Sequence, residues 1–175
     1  AVIAMTPLTS GAAVSRAAVA HRDVGSALKW TAIGLKSRVD VGRGRRPTMM
    51  PLVAHPGEPG GLTLAGAYES YTALAGPTWR NEVDSAVGLQ IAGIRTAEAA
   101  RRLRCPALFQ IADFDRYVPA ESVVKTAELA RGVVHHYPCD HFDVWPGHEW
   151  FEKAAADQVA FLARVLSREA SAALP

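Results

Sequence analysis

The feature that most constrains the fold is an alternation of element types after Leu103. Two short apolar runs, Ala107 to Ala112 and Val133 to Tyr137, are bounded by turn signals, and each is followed by a helical stretch. Such runs read as strands of a parallel sheet buried on both faces. Cys105-Pro106 opens the first and Pro138 closes the second. The helix between them is expected to begin at Pro119, a good first-turn residue. It runs through Glu121 to Ala130, and Gly132 is expected to stop it. A last helix is expected from about His148, with Glu149 in its opening turn, to Ser167. Phe151, Ala155, Val159, Leu162 and Leu166 recur along it at spacings of 4, 4, 3 and 4, which predicts its buried face. Strand, helix, strand, helix makes a right-handed crossover unit of the α/β class.

A third apolar run, Val2 to Met5, closed by Thr6-Pro7, adds a strand. The long stretch between it and Ala107 has a different texture. Gly42 to Pro47 and Pro56 to Gly61 are loop-like. Asn81 reads as the cap of a helix over Glu82 to Ile91, and Thr96 as the cap of one over Ala97 to Leu103. This mostly helical excursion is expected to be a cap inserted over one end of the sheet. An ordinary crossover with extra helices is the other reading. Residues 1–11 and 101–170 are then the core, and residues 12–100 the cap or lid. About three parallel strands are few for such a sheet, and the Val2 to Met5 strand would show an unpaired apolar edge. Together with the apolar opening Ala1-Val-Ile-Ala-Met, this predicts a fragment whose N-terminal half is absent.

Composition narrows the function classes. The 175 residues suit one domain, and 49% hydrophobic with 21% charged residues can build a core. A net charge of +2 gives no argument for nucleic acid. The arginines that gather in Arg38 to Arg46 and Arg101 to Arg104 read as solvated faces. No apolar run reaches the ~20 residues needed to span a bilayer, and no cleavable signal is visible. Neither nucleic acid nor membrane is expected as a partner. Cys105 and Cys139 fall at opposite ends of neighbouring strands, roughly 15 Å apart at ~3.3 Å per residue, beyond disulfide reach. A reducing, cytoplasmic setting is expected. The exposed first strand could pair with another copy, so a homo-oligomer stays open.

Ligands of an open parallel sheet bind outside the carboxyl ends of its strands. The strand Ala107 to Ala112 runs out there into Asp113-Phe-Asp115-Arg-Tyr-Val-Pro119, and the strand Val133 to Tyr137 into Pro138-Cys139-Asp140-His141. Loops at the ends of adjacent strands meet, which brings Asp115 within reach of His141, 26 residues later. A carboxylate on one imidazole nitrogen fixes the tautomer and leaves the other nitrogen to take a proton. The plainer alternative is that Asp113 and Asp115 merely cap the loop or the next helix.

The acid stretch Asp113 to Pro119 resembles the acid loop of α/β-hydrolases. Asp140-His141-Phe142-Asp143-Val144 resembles the histidine loop of that superfamily's serine-hydrolase, prolyl-peptidase and dienelactone-hydrolase-like branch. Cys105-Pro106, and Asp157-Gln158 with Phe161-Leu162, fit the same branch, and Ala1 to Pro7 resembles the strand after the nucleophile helix. The resemblance is strong over 100–166, weaker over 1–11 and faint between. It implies the C-terminal part of an α/β-hydrolase sheet, with Asp115 as triad acid and His141 as general base in the order Ser, Asp, His. It implies a small-molecule acyl substrate and no cofactor or metal. The family's G-x-S-x-G elbow is missing. Ser10 and Ser26 come nearest without the flanking glycines, and the oxyanion elements would precede residue 1. The expected activity of the parent is cleavage of carboxylic esters, or amides, through an acyl-serine. These 175 residues alone are expected to be inactive. A non-catalytic binding or interaction module derived from the fold is the alternative.

Other readings of the same residues are weaker. His135, His136, Cys139, Asp140 and His141 are metal-ligand types, but successive strand residues point to opposite faces, so at most one of the pair could join His141. Cys139 sits too close to His141 in the loop to be its nucleophile. Asp143 reads as a loop or cap residue, with a helper carboxylate as the alternative. Trp30, Tyr68, Tyr71 and Trp79 read as cap packing or as walls of an acyl pocket.

Overall fold

The computed structural model describes residues 1–20 and 24–172. The elements run β1 (Val2–Met5), α1 (Gly11–Ala20), α2 (Val24–Gly42), β2 (Met49–Met50), α3 (Ala67–Ala73), β3 (Val83–Asp84), α4 (Val87–Ala92), α5 (Ala97–Arg102), β4 (Ala107–Ala112), α6 (Ala120–Ala130), β5 (Val133–Tyr137) and α7 (Phe151–Ala172). Two units separate, Ala1–Ala17 with Arg95–Pro175, and Ala18–Ile94. No helix among the described residues is long and apolar enough to cross a membrane.

The first unit is a parallel sheet in the order β1-β4-β5. Val2 pairs with Ala107 at one side of β4 and Leu108 with Val133 at the other. All six residues of β4 are buried, as a central strand covered on both faces requires. Its side chains alternate between two layers. Ala107, Phe109 and Ile111 pack with Val118 just ahead of α6, with Val123, Ala127 and Ala130 along it, and with Ala100 of α5. On the other face Leu108 packs with Phe161 and Val165 of α7, while Ala112 packs with Tyr137, Val144 and Ala154.

Gln110 breaks the apolar pattern of β4 and is fully buried. A buried amide is tolerated only when hydrogen-bonded. Its Nε2 donates to Tyr137 Oη at 2.7 Å and to the Ala154 carbonyl at 2.8 Å, and its Oε1 accepts from Gln158 Nε2 at 2.6 Å. Tyr137 Oη in turn donates to Asp157 Oδ2 at 2.8 Å. The network pins α7 to the sheet, and it corrects the expected register of that helix. The sheet-facing side is Ala154, Gln158, Phe161 and Val165, whereas Val159 and Leu166 of the expected stripe are exposed. Polar Gln158 faces inward because Gln110 offers it a partner. The helix also starts at Phe151, not His148.

Asp157 gathers three partners: Lys153 Nζ at 2.5 and 2.6 Å, Tyr137 Oη, and His135 Nδ1 at 3.1 Å. Burial pushes its carboxyl up, but these hydrogen bonds outweigh burial and hold it down at about 2. A depressed carboxyl stabilises the fold above its unfolded value of about 4, and that contribution is lost as pH falls toward the folded value. Asp157→Asn is therefore expected to lower the Tm at pH 7, with the gap to wild type closing between about pH 4 and pH 2. Thermal melts across that range check it; a constant gap would contradict it.

The ends of α6 differ from expectation in detail. Pro119 sits at the N-cap rather than inside the first turn. At the other end Arg131, not Gly132, takes the left-handed conformation, with φ 53°. Gly132 donates its N–H to the Ala127 carbonyl at 2.9 Å, as in a Schellman closure. A Cβ there would lie 2.7 Å from the Phe109 ring, so close packing, not φ, requires glycine.

The second unit holds α2, α3, α4 and a small antiparallel pair, β2 with β3. Buried Ser37 donates to Asp84 Oδ1 at 2.6 Å and accepts from the Thr48 N–H at 2.9 Å, tying α2 to the pair. Asn81 caps no helix. Its side chain accepts from the Val53 N–H at 2.9 Å and donates to the Val53 carbonyl at 2.8 Å, as a neighbouring strand would. The helix expected over Glu82 to Ile91 shrinks to α4 behind β3. Thr96 does precede α5, but its hydroxyl donates to the Thr9 carbonyl at 2.8 Å instead of capping. Trp30, Tyr68, Tyr71 and Trp79 all lie in this second unit, where Tyr68 rests on His55 at 4.4 Å between ring centroids.

Candidate active site

Where β4 and β5 end, their loops stay laced together. Asp113 donates its N–H to the Tyr137 carbonyl at 2.8 Å and Phe114 to the Cys139 carbonyl at 3.0 Å. The lacing leaves Asp115 at a tight turn into α6. Its Oδ1 accepts the N–H groups of Tyr117 at 2.8 Å and Val118 at 2.7 Å. Its Oδ2 lies 2.7 Å from His141 Nδ1. One carboxylate oxygen of Asp115 therefore caps the turn and the other meets His141. The Asp115 side chain is 3% exposed and that of His141 15%. A buried carboxylate whose oxygens are all engaged cannot swing away. The His141 ring is wedged edge-on between Tyr117, 5.5 Å away, and Phe142, 4.8 Å away. With Nδ1 facing a carboxylate, the proton of a neutral ring sits on Nδ1, and Nε2 is left as the acceptor.

An ion pair buttresses this contact. Asp140 Oδ1 accepts the N–H of Arg116 at 3.0 Å and that of His141 at 2.8 Å. Its Oδ2 takes Arg116 Nε and Nη2, both at 2.5 Å. Burial pushes the Asp140 carboxyl up, but the backbone and guanidinium of Arg116 and the His141 N–H outweigh it and hold the group low. The same pairing raises Arg116. Asp140 thus fastens the residue after Asp115 to the residue that is His141, and fixes the spacing of the two loops. Sequence reading missed this clamp. Its signal was an arginine beside the acid and an aspartate beside the histidine.

The other candidates are placed as follows. Cys139 is buried, and burial followed by the field of Asp143, Asp113, Asp140 and Asp115 pushes its thiol up to about 12. It stays protonated, which suits no nucleophile. Asp143 Oδ2 accepts the Asp140 N–H at 2.9 Å, so it braces the loop. His136 Nδ1 pairs with Asp113 at 2.6 Å, while His135 turns to Asp157. The two strand histidines thus face apart, and among the described residues no three His, Cys, Asp or Glu converge as a metal site would need. Ser10 opens α1, its Oγ accepting the Ala13 N–H at 3.3 Å, and Ser26 lies within α2.

No family model matches the chain. The quorum-quenching protein AidA of Acinetobacter baumannii (strain MDR-ZJ06) is 30% identical over 169 residues, covering 95% of this chain and 54% of the relative. The crystal structure of α/β hydrolase GrgF from Penicillium sp. sh18 superposes with a TM-score of 0.64 at 18% identity, over 94% of this chain and 55% of that one. DcsB, solved in complex with its substrate analogue, gives 0.59 at 19% identity, over 83% and 53%. The chain spans about half the length of each of these proteins. A parallel sheet in this order, with such neighbours, shows that the chain carries part of the α/β-hydrolase fold.

Proposed function

We propose that this chain supplies the acid and the base of a serine-type hydrolase that cleaves carboxylic esters, and amides less readily, through an acyl-enzyme. The observation that carries the reading is the 2.7 Å contact of buried Asp115 with His141 at the carboxyl ends of neighbouring parallel strands. In this reading His141 Nε2 takes the proton of a serine hydroxyl as its oxygen attacks the acyl carbon. The imidazolium, steadied by Asp115, then returns that proton to the departing alkoxide. Water repeats the sequence on the acyl-serine and releases the acid. The serine and its oxyanion donors lie outside these 175 residues, and residues 12–100 act as the lid. The substrate in this reading is a small acyl compound.

The test is an ester panel on protein that includes the remaining part of the fold, with His141→Ala beside it. Turnover is expected to fall by about 10³-fold or more in the variant. Equal turnover would remove His141 from the reaction. The 175-residue chain alone is expected to show neither turnover nor labelling by a fluorophosphonate.

A further inference from the structure

The contact between Asp115 Oδ2 and His141 Nδ1 fixes one atom of the imidazole. A ring held at one atom can pivot about it, and Nε2, on the far side, is then carried along. The Tyr117 and Phe142 rings limit that pivot, but Phe142 belongs to the histidine loop and moves with it. The freedom that remains is a slide of one loop past the other. Proton transfer is sensitive to such a slide, because a misplacement of about 1 Å costs on the order of 10²-fold in rate.

Asp140 is placed to stop it. Its Oδ1 accepts the N–H of His141 at 2.8 Å and that of Arg116 at 3.0 Å, so one oxygen joins the backbone of the base to the residue after the acid. Its Oδ2 takes the Arg116 fork through Nε and Nη2, both at 2.5 Å. A planar bidentate pair fixes the plane of the carboxylate, and with it the aim of Oδ1. Asp140 is itself seated from behind. Its N–H donates to Asp143 Oδ2 at 2.9 Å, and its carbonyl accepts the Asp143 N–H at 3.1 Å, which closes a loop around His141 and Phe142. The Asp143 carbonyl in turn accepts the Trp150 N–H at 3.0 Å, at the foot of α7. The pair lies at the rim, with the Arg116 side chain 44% exposed and that of Asp140 22%. An ion pair this open adds little to stability, so its effect on the site is separable from its effect on the fold.

We propose that Asp140 and Arg116 are positioning residues for the base, their ion pair holding His141 Nε2 at the place where it takes its proton. The proposal rests on the dyad reading above and adds to it two residues that act only through His141.

The test uses protein that includes the remaining part of the fold, with p-nitrophenyl acetate as the ester. Asp140→Asn can keep both backbone N–H groups on its Oδ1 but turns an NH₂ group toward the guanidinium. Arg116→Ala removes the fork and keeps its own N–H. Each is expected to lower kcat about tenfold with KM held within about twofold. The double variant is expected to lose no more than either single one, since both remove the same interaction. Arg116→Lys, which keeps the charge without the fork, is expected to fall between Arg116→Ala and wild type. Asp140→Ala, which also frees the two N–H groups, is expected to lose about 100-fold in kcat. NMR of the same protein is expected to show the His141 Nδ1–H exchanging about tenfold faster in Asp140→Ala than in wild type.

A kcat unchanged in Asp140→Asn and Arg116→Ala overturns the proposal, as do losses that multiply in the double variant or a loss confined to KM. Those two variants keep the backbone ties, so they decide the outcome even where Asp140→Ala does not fold. His141→Ala separates this proposal from the reading beneath it. Full turnover there removes the dyad, whereas an inactive His141→Ala beside fully active Asp140 and Arg116 variants removes only the positioning role.

Discussion

Asp115→Asn is expected to lower ester turnover by about 10⁴-fold while the fold survives. The size of the effect follows from which oxygen does what. Oδ1 accepts the N–H groups of Tyr117 and Val118, and an asparagine Oδ1 can keep both. The other position, 2.7 Å from His141 Nδ1, would then carry an NH₂ group. A donor there turns His141 to the tautomer with its proton on Nε2, and a protonated Nε2 cannot accept one from a serine. The imidazolium of the transition state also loses its counter-charge in a site that excludes most water. The measurement is kcat/KM on the best ester of the panel, in protein containing the nucleophile, beside a thermal melt. A loss below about tenfold with an unchanged melt would show that Asp115 serves the turn and not the chemistry.

Gln110→Leu is expected to cost about 3 kcal/mol of stability, or roughly 6–12 °C in Tm for a chain of this size. Leucine fills much the same space, so the loss is one of hydrogen bonding. Gln158 Nε2 would lose its acceptor, and Tyr137 Oη and the Ala154 carbonyl would lose a donor. Tyr137 Oη keeps Asp157 as its acceptor, so the main loss falls on the Gln158 amide and the donors taken from Tyr137 and Ala154, at about 1–3 kcal/mol for a polar group left short of a partner. Replacing Gln158 by Leu in the same chain should recover part of the deficit, because it removes a stranded amide. Urea and thermal unfolding of the single and double variants check both statements. A cost under about 1 kcal/mol for the single change would mean that the network contributes little.

The strands were legible because a buried parallel strand is written in adjacent residues. Each is a largely apolar run near a Pro or Gly, broken by Gln110 in β4 and by His135 and His136 in β5, and β1, β4 and β5 span the same residues as the runs at Val2, Ala107 and Val133. The face of α7 was not legible. Apolar spacing selected Val159 and Leu166, yet the sheet-facing side includes Gln158, whose place depends on Gln110, 48 residues away. Asn81 misled for the same reason. Its side chain has the chemistry of a cap, and only the approach of Val53, 28 residues earlier, made it a stand-in for a strand.

For the site, the sequence by itself determined that Asp113, Asp115 and His141 stand in loops at the carboxyl ends of strands. Local pattern and the topology of a crossover unit suffice for that. The meeting of Asp115 with His141 was expected from the adjacent loops, whereas the partners of Asp113 and Asp140 were decided by tertiary structure. Asp113 goes to His136 and Asp115 to His141, while Arg116 closes on Asp140. The physical reason is one of range. Periodicity and turn chemistry act between neighbours in the chain, whereas a polar side chain finds its partner only after the backbone has set a few ångströms between loops that are far apart in sequence.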